Sequence, residues 1–129
     1  LIKGLKDNTI DAISSDHTPQ DIENKKVEFN NAEFGMISLQ TAFSLACKLE
    51  NKIGLEGIIE KMAVNPRKLL GINIPEINTD KAANLCLFNP ITEWTLEEKN
   101  IVSKSKNTPF IGKKLKGKII GVINNGKLY

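Results

Sequence analysis

Helical periodicity stops at Pro75, and the chain beyond it reads as antiparallel sheet. From Met36 to Leu49 the apolar residues Met36, Leu39, Phe43 and Ala46 recur at helical intervals, with Ala42 and Leu49 alongside. A second stripe, Leu55, Ile58, Ile59, Met62 and Ala63, predicts another helix over 55–63. Asn65-Pro66 interrupts it; Pro66 suits the first turn of a new helix and Gly71 its C-terminal cap. Beyond Pro75, the stretches ANLCLFNP (83–90), EWTL (93–96) and KIIGVINNGKLY (118–129) are strand-like, and Asn125-Gly126 is a strong hairpin signal.

Ahead of the helices, TIDAISS (9–15) predicts one short strand with Ile10, Ala12 and Ile13 available to a core. Residues 17–35 lack periodicity and predict a long loop, the kind that is functional when it sits inside a compact domain. A compact fold rarely opens on one lone strand. The expectation is an α/β protein in which residues 1–75 are the last β/α unit and C-terminal helices of a larger barrel. Residues 76–129 are then strands of a small β-sandwich. Leu1 leads directly into what reads as mid-domain sequence, which fits a fragment of something longer.

Composition closes off several functions. The chain has 129 residues, 40% hydrophobic and 26% charged, as in soluble globular proteins. No apolar run is long enough to cross a membrane and no signal peptide is seen, so a cytoplasmic protein is expected. Cys47 and Cys86 stand apart without metal-type spacing and read as reduced thiols. All 15 acids lie within residues 1–100, while 101–129 hold seven lysines and no acid. Those lysines alternate with Gly, Ile and Val, without arginine or stacked aromatics. They read as a solvated strand face, and no nucleic-acid partner is expected.

The stretch AISSDHTPQD (12–21) carries the only histidine, His17, next to Asp16. An acid at the end of a short buried strand is either a structural corner or a group placed for chemistry. Its surroundings bear on the choice. DAISSDHTP, FGMISLQTAFSLA, NPRKLLGI, ANLCLFNP and SKSKNTPFIGKKLKGKIIGVINNGKLY resemble, in that order, the C-terminal third of a dihydroorotase, within the amidohydrolases that include allantoinase and hydantoinase. NPRKLLG and ANLCLFNP are common across the superfamily; SKSKNTPFIGKKLKGK resembles dihydroorotases in particular.

The resemblance implies a metal-dependent (β/α)8 barrel with a small β-sandwich, and an active site at the C-terminal ends of the strands. It makes AISSD the eighth strand and gives Asp16 two roles, metal ligand and proton carrier, in hydrolysing the cyclic amide of dihydroorotate to N-carbamoyl-L-aspartate. The cofactor implied is zinc, one or two ions, whose charge keeps the carboxylate ionised. His17 falls where the family has a residue behind the ligands. Phe34 and Gly35 match a loop whose backbone approaches the substrate ring, although a turn glycine opening the next helix reads equally well. Many dihydroorotases have, at the position of Gln20, a histidine that helps hold the substrate carboxylate. Glutamine still donates a hydrogen bond but carries no charge.

The family's remaining ligands are a His-x-His pair, a carboxylated lysine and two more histidines, which a chain with one histidine does not contain. The isolated chain is therefore expected to bind no zinc and to be inactive. The runner-up function is a catalytically dead dihydroorotase-like subunit acting as scaffold for aspartate transcarbamoylase; allantoinase or hydantoinase is the third. Unpaired edges and helix faces favour a homo-oligomer.

Overall fold

The helical half matches expectation in outline and differs in its joints. The computed structural model describes residues 1–129. It begins with a short helix α1 (Ile2–Lys6) and a single turn α2 (Ile22–Lys25). Helix α3 (Leu39–Ala46) runs through a 3-10 turn (Cys47–Leu49) into α4 (Glu50–Ile59). Residues 36–38, expected inside the first helix, lie outside it. Met36 pairs instead with His17 in a parallel bridge, so its backbone is committed elsewhere.

Gly54 divides α4, with φ 72° and ψ 165°, a conformation that glycine adopts at little steric cost. The second physical helix therefore starts at Leu55, as expected. It does not stop at Asn65. A π turn (Glu60–Val64) carries it into α5 (Asn65–Leu69), with the Asn65 N–H donating to the Glu60 carbonyl five residues back. Pro66 has no N–H to give, and at the first turn of α5 none is needed. The end of α5 behaves as read. Gly71, at φ 65°, donates to Lys68 O, and Ile72 N–H reaches back to Arg67 O, which together form a Schellman cap.

The sheet is antiparallel, in the order β1 (Leu85–Thr95), β2 (Lys114–Asn124), β3 (Lys127–Leu128). The two stretches expected as separate strands, 83–90 and 93–96, fuse into β1 around an irregularity. Asn89 pairs with Lys118 and Glu93 with Lys116, so residues 90–92 stand opposite Gly117 alone. The Asn89 side chain fills the gap by accepting from Ile91 N–H and Thr92 N–H, and Pro90, which cannot donate to a ladder, sits in the irregular part. At the β2–β3 corner Asn125 and Gly126 both have positive φ, 49° and 77°, as a type I′ turn requires. Two of the three lysines of β2 face acids: Lys114 lies 3.2 Å from Glu93, and Lys116 3.2 Å from Glu50.

Helix α3 lies against β2, and the small core forms there. Ile37, Leu96, Ile101 and Leu115 are its buried centre, with Leu45, Trp94 and Phe110 packed around them. Trp94 Nε1–H donates to Gly117 O at 2.9 Å, and the buried Ser44 hydroxyl bonds the same carbonyl, tying helix to strand. Gly117 makes this approach possible. Its φ is 89°, and a Cβ there would lie 2.6 Å from Cys47 Sγ. Burial, with Glu50 nearby, pushes the Cys47 thiol above its ordinary value, so it serves as an uncharged packing group. Gly117→Ala combines backbone strain with this overlap and is expected to cost about 2–3 kcal/mol. Urea denaturation checks this, and an unchanged midpoint would show that the helix is not seated on β2 as described.

The strand expected over 9–15 does not form. Residues 11–16 belong to no ladder, because a parallel strand exists only through hydrogen-bonded neighbours and this chain supplies just the bridge at His17. Asp16 is accordingly not at a strand tip here. The segment is held by the second helix: buried Lys61 donates its ammonium to Asn8 Oδ1 (2.9 Å) and Ile10 O (2.6 Å), and its own carbonyl accepts from Ile13 N–H. The 17–35 stretch is likewise less bare than expected, containing α2 and a 3-10 turn at Phe29–Asn31.

Candidate functional site

Three segments distant in sequence lie side by side: 14–20, 33–39 and 105–107. Ser38, at the start of α3, donates its hydroxyl to Ser15 O at 2.6 Å. His17 Nδ1 accepts two backbone N–H groups from the same helix start, Ser38 at 3.0 Å and Leu39 at 3.2 Å. One residue further, Thr18 N–H donates to Met36 O. A nitrogen that accepts hydrogen bonds leaves the ring proton on Nε2, so His17 in this arrangement offers no lone pair to a metal ion.

Asp16 sits between these pins with φ 47°, a left-handed conformation that aspartate tolerates better than most residues. Its backbone is fixed on both sides: its N–H donates to Ser14 Oγ, and Thr18 Oγ1 donates to its carbonyl. The residue is exposed. A strained backbone holding an exposed acid is an arrangement found at functional sites more often than elsewhere.

Gln20, Phe34 and Gly35, far apart in the chain, meet. Gln20 Nε2 donates to Phe34 O at 3.2 Å. The Phe34 ring itself is 89% exposed. Gly35 has φ 104°, and a Cβ at this position would lie 2.5 Å from Thr18 Cβ, so the close approach of the two segments requires glycine. Its carbonyl accepts from Lys25 Nζ (3.2 Å) and Asn107 Nδ2 (3.1 Å). Ser105 and Asn107 also belong to this cluster. The sequence gives no reason to name either one, although both lie in the family-like run SKSKNTPF. Gly35→Ala is expected to lower stability by about 2 kcal/mol. Adding Thr18→Gly should recover the steric share but not the backbone strain; full recovery would show that φ at 35 is not the constraint.

Beside His17 opens a pocket of about 410 Å³ walled by Ile37, Leu39, Leu96, Ile101 and Val102. Gln20 borders a different, polar hollow of about 370 Å³ with Asp21, Lys104, Ser105 and Asn107. Asp16, Phe34 and Gly35 line neither; Gln20, Phe34 and Gly35 form an open rim, and Thr18, lying against Gly35 and bonded to the Asp16 carbonyl, links the Asp16 segment to it.

No family model matches the chain. Individual relatives do. It is 41% identical over 127 residues to a dihydroorotase of Geotalea daltonii, 41% over 131 to one of Chlorobaculum tepidum, and 44% over 131 to one of Caldicellulosiruptor saccharolyticus. These alignments cover 97–99% of the chain. The chain is similar to dihydroorotases along nearly its whole length. It spans about 30% of the length of the curated dihydroorotases it matches.

Among solved structures, the fold matches L-hydantoinase (dihydropyrimidinase) from Arthrobacter aurescens with a TM-score of 0.84 at 22% identity. It matches dihydropyrimidinase from Brevibacillus agri with the same score at 21%. Both matches cover 98% of this chain and 30% of theirs. At such identity the likeness speaks for a shared fold; the dihydroorotase relatives are near twice as identical.

The rim does not make a metal centre of its own. No three His, Cys, Asp or Glu side chains come together to hold an ion. His17 is turned away from ligation by its acceptor role, which leaves Asp16 as the one ligand that the resemblance names in this segment, against the three or four that a zinc ion takes. The residues present do not fit a complete zinc site, so any ion in a dihydroorotase containing this segment needs donors from outside it.

Proposed function

We propose that the complete protein to which this segment belongs is a dihydroorotase, interconverting dihydroorotate and N-carbamoyl-L-aspartate in pyrimidine synthesis. The observation that carries this is identity near 40% to dihydroorotases along the whole segment. Residues 1–75 then close a (β/α)8 barrel, with 9–15 gaining its strand partners there, and residues 76–129 contribute to a β-sandwich. The protein is cytoplasmic and a homo-oligomer in this reading.

In the hydrolytic direction, water adds to the ring carbonyl carbon, the C–N bond breaks and the nitrogen leaves with a proton. Asp16 takes the proton released by the water and passes it to that nitrogen. The exposure of Asp16 and its pinned backbone favour this role. A zinc ion held by donors beyond this chain, with Asp16 as one further ligand, would supply Lewis-acid activation of water. Gln20, Phe34 and Gly35 form the substrate-binding rim, and His17 orients the Asp16 segment by its bonds to the α3 N-terminus.

Gln20 supports a second reading. Its amide is engaged with Phe34 O and carries no positive charge to meet a substrate carboxylate, which suits an inactive scaffold that associates with aspartate transcarbamoylase. Assay of the complete protein with dihydroorotate, alongside its intact mass and metal content, separates the two. Turnover supports the enzyme. A metal-free, inactive protein that co-elutes with aspartate transcarbamoylase supports the scaffold.

A further inference from the structure

We infer that Asn107 is a positioning residue for the substrate rim. This deepens the reading of Gln20, Phe34 and Gly35 as that rim and rests on it. One short side chain reaches both halves: Nδ2 donates to Gly35 O at 3.1 Å, and Oδ1 accepts from Gln20 N–H at 3.4 Å. Its backbone carbonyl holds a third point, accepting Ile37 N–H at 3.0 Å. Ser105 stands behind it, its hydroxyl bonded to Gln20 O (2.6 Å) and to Asn107 Oδ1. A single hydroxyl proton serves only one of those acceptors at a time; the Gln20 N–H donated to Oδ1 is what keeps the amide oriented with Nδ2 toward Gly35.

The consequence is geometric. Gly35, without a Cβ, lies close against Thr18 at φ 104°, and the same backbone freedom lets its peptide leave that position unless something holds it. Two donors do, Lys25 from within the loop and Asn107 from outside it. Lys25 travels with the loop, whereas Asn107 is anchored near the core through Ile37 and the helix start. Asn107 therefore sets where the rim stands relative to Asp16, without touching substrate.

In the complete protein, Asn107→Ala is expected to raise KM for dihydroorotate about tenfold while kcat stays within about threefold and Tm shifts little. Asn107→Asp, which keeps the acceptor for Gln20 and loses the donor for Gly35, should do the same. Asp16→Asn in parallel is the control. If that variant loses turnover while Asn107→Ala keeps a normal KM, the clamp is wrong and the functional reading stands. If the wild-type protein turns over no dihydroorotate, the functional reading falls, and trypsin cleavage after Lys25 and Lys26 decides the clamp. Faster cutting in Asn107→Ala upholds it; an unchanged rate overturns it.

Discussion

Asp16→Asn in the complete protein is expected to lower dihydroorotate turnover by a factor of at least roughly 10², equivalent to about 2.7 kcal/mol of barrier, with the fold intact. The substitution is mild where the structure is demanding and severe where the chemistry is. Asparagine tolerates the left-handed backbone at φ 47° as aspartate does, and the bonds from Ser14 and Thr18 go to main-chain atoms, so the segment keeps its course. The loss is confined to a group able to accept a proton and release it again. Alanine would confuse the two effects by adding backbone strain. The measurement is kcat with Tm beside it. Turnover at the parent rate would remove Asp16 from the mechanism.

How far the chain can be read depends on the range of the contacts involved. Local signals are faithful. The stripe through Phe43 and Ala46, the new start at Leu55, the Gly71 cap and the Asn125-Gly126 turn are each decided within about one helical turn or one hairpin, and each appears in the fold. The strand at 9–15 fails for the opposite reason. Its alternating residues are suited to a sheet, but a strand is a relation between segments, and Ile13 finds only Lys61 O here. Pro66 reads as an interruption because a proline inside a helix usually is one; a π turn ahead of it absorbs the missing donor.

The candidate site is legible by likeness and not by pattern. Nothing in TPQD or EFGM announces that Gln20 and Phe34 touch. The partners that organise them come from 72 and 87 residues away, at Gly35–Asn107 and Gln20–Asn107. Likeness marks SKSKNTPF as the most telling run without saying what it does. In the fold its Ser and Asn carry the polar contacts that hold the other two motifs together. The distinctive residues of a motif can thus be those that position a site rather than those that form it.

Residues 1–129 prepared alone are expected to show no dihydroorotase activity with added zinc, and to self-associate. Inactivity rests on donor count. Three or four ligands are needed, no three His, Cys, Asp or Glu side chains come together, and His17 has spent its Nδ1 lone pair on the α3 N-terminus. Self-association rests on burial. Only 14 of the 129 residues are buried, too small a core to keep the apolar side chains from water. Leu69, Leu70, Ile72, Ile74 and Ile77 are exposed from the end of α5 onward, and Leu87, Ile119, Ile120 and Val122 are exposed on the sheet. Helix and strand faces of this kind are ordinarily covered, and a second copy is the nearest available cover. The backbone at 11–16, outside any ladder, adds an edge open to pairing. Light scattering that returned a monomer would refute the association, and measurable turnover by this segment would mean that donors within it assemble a site that its fold keeps apart.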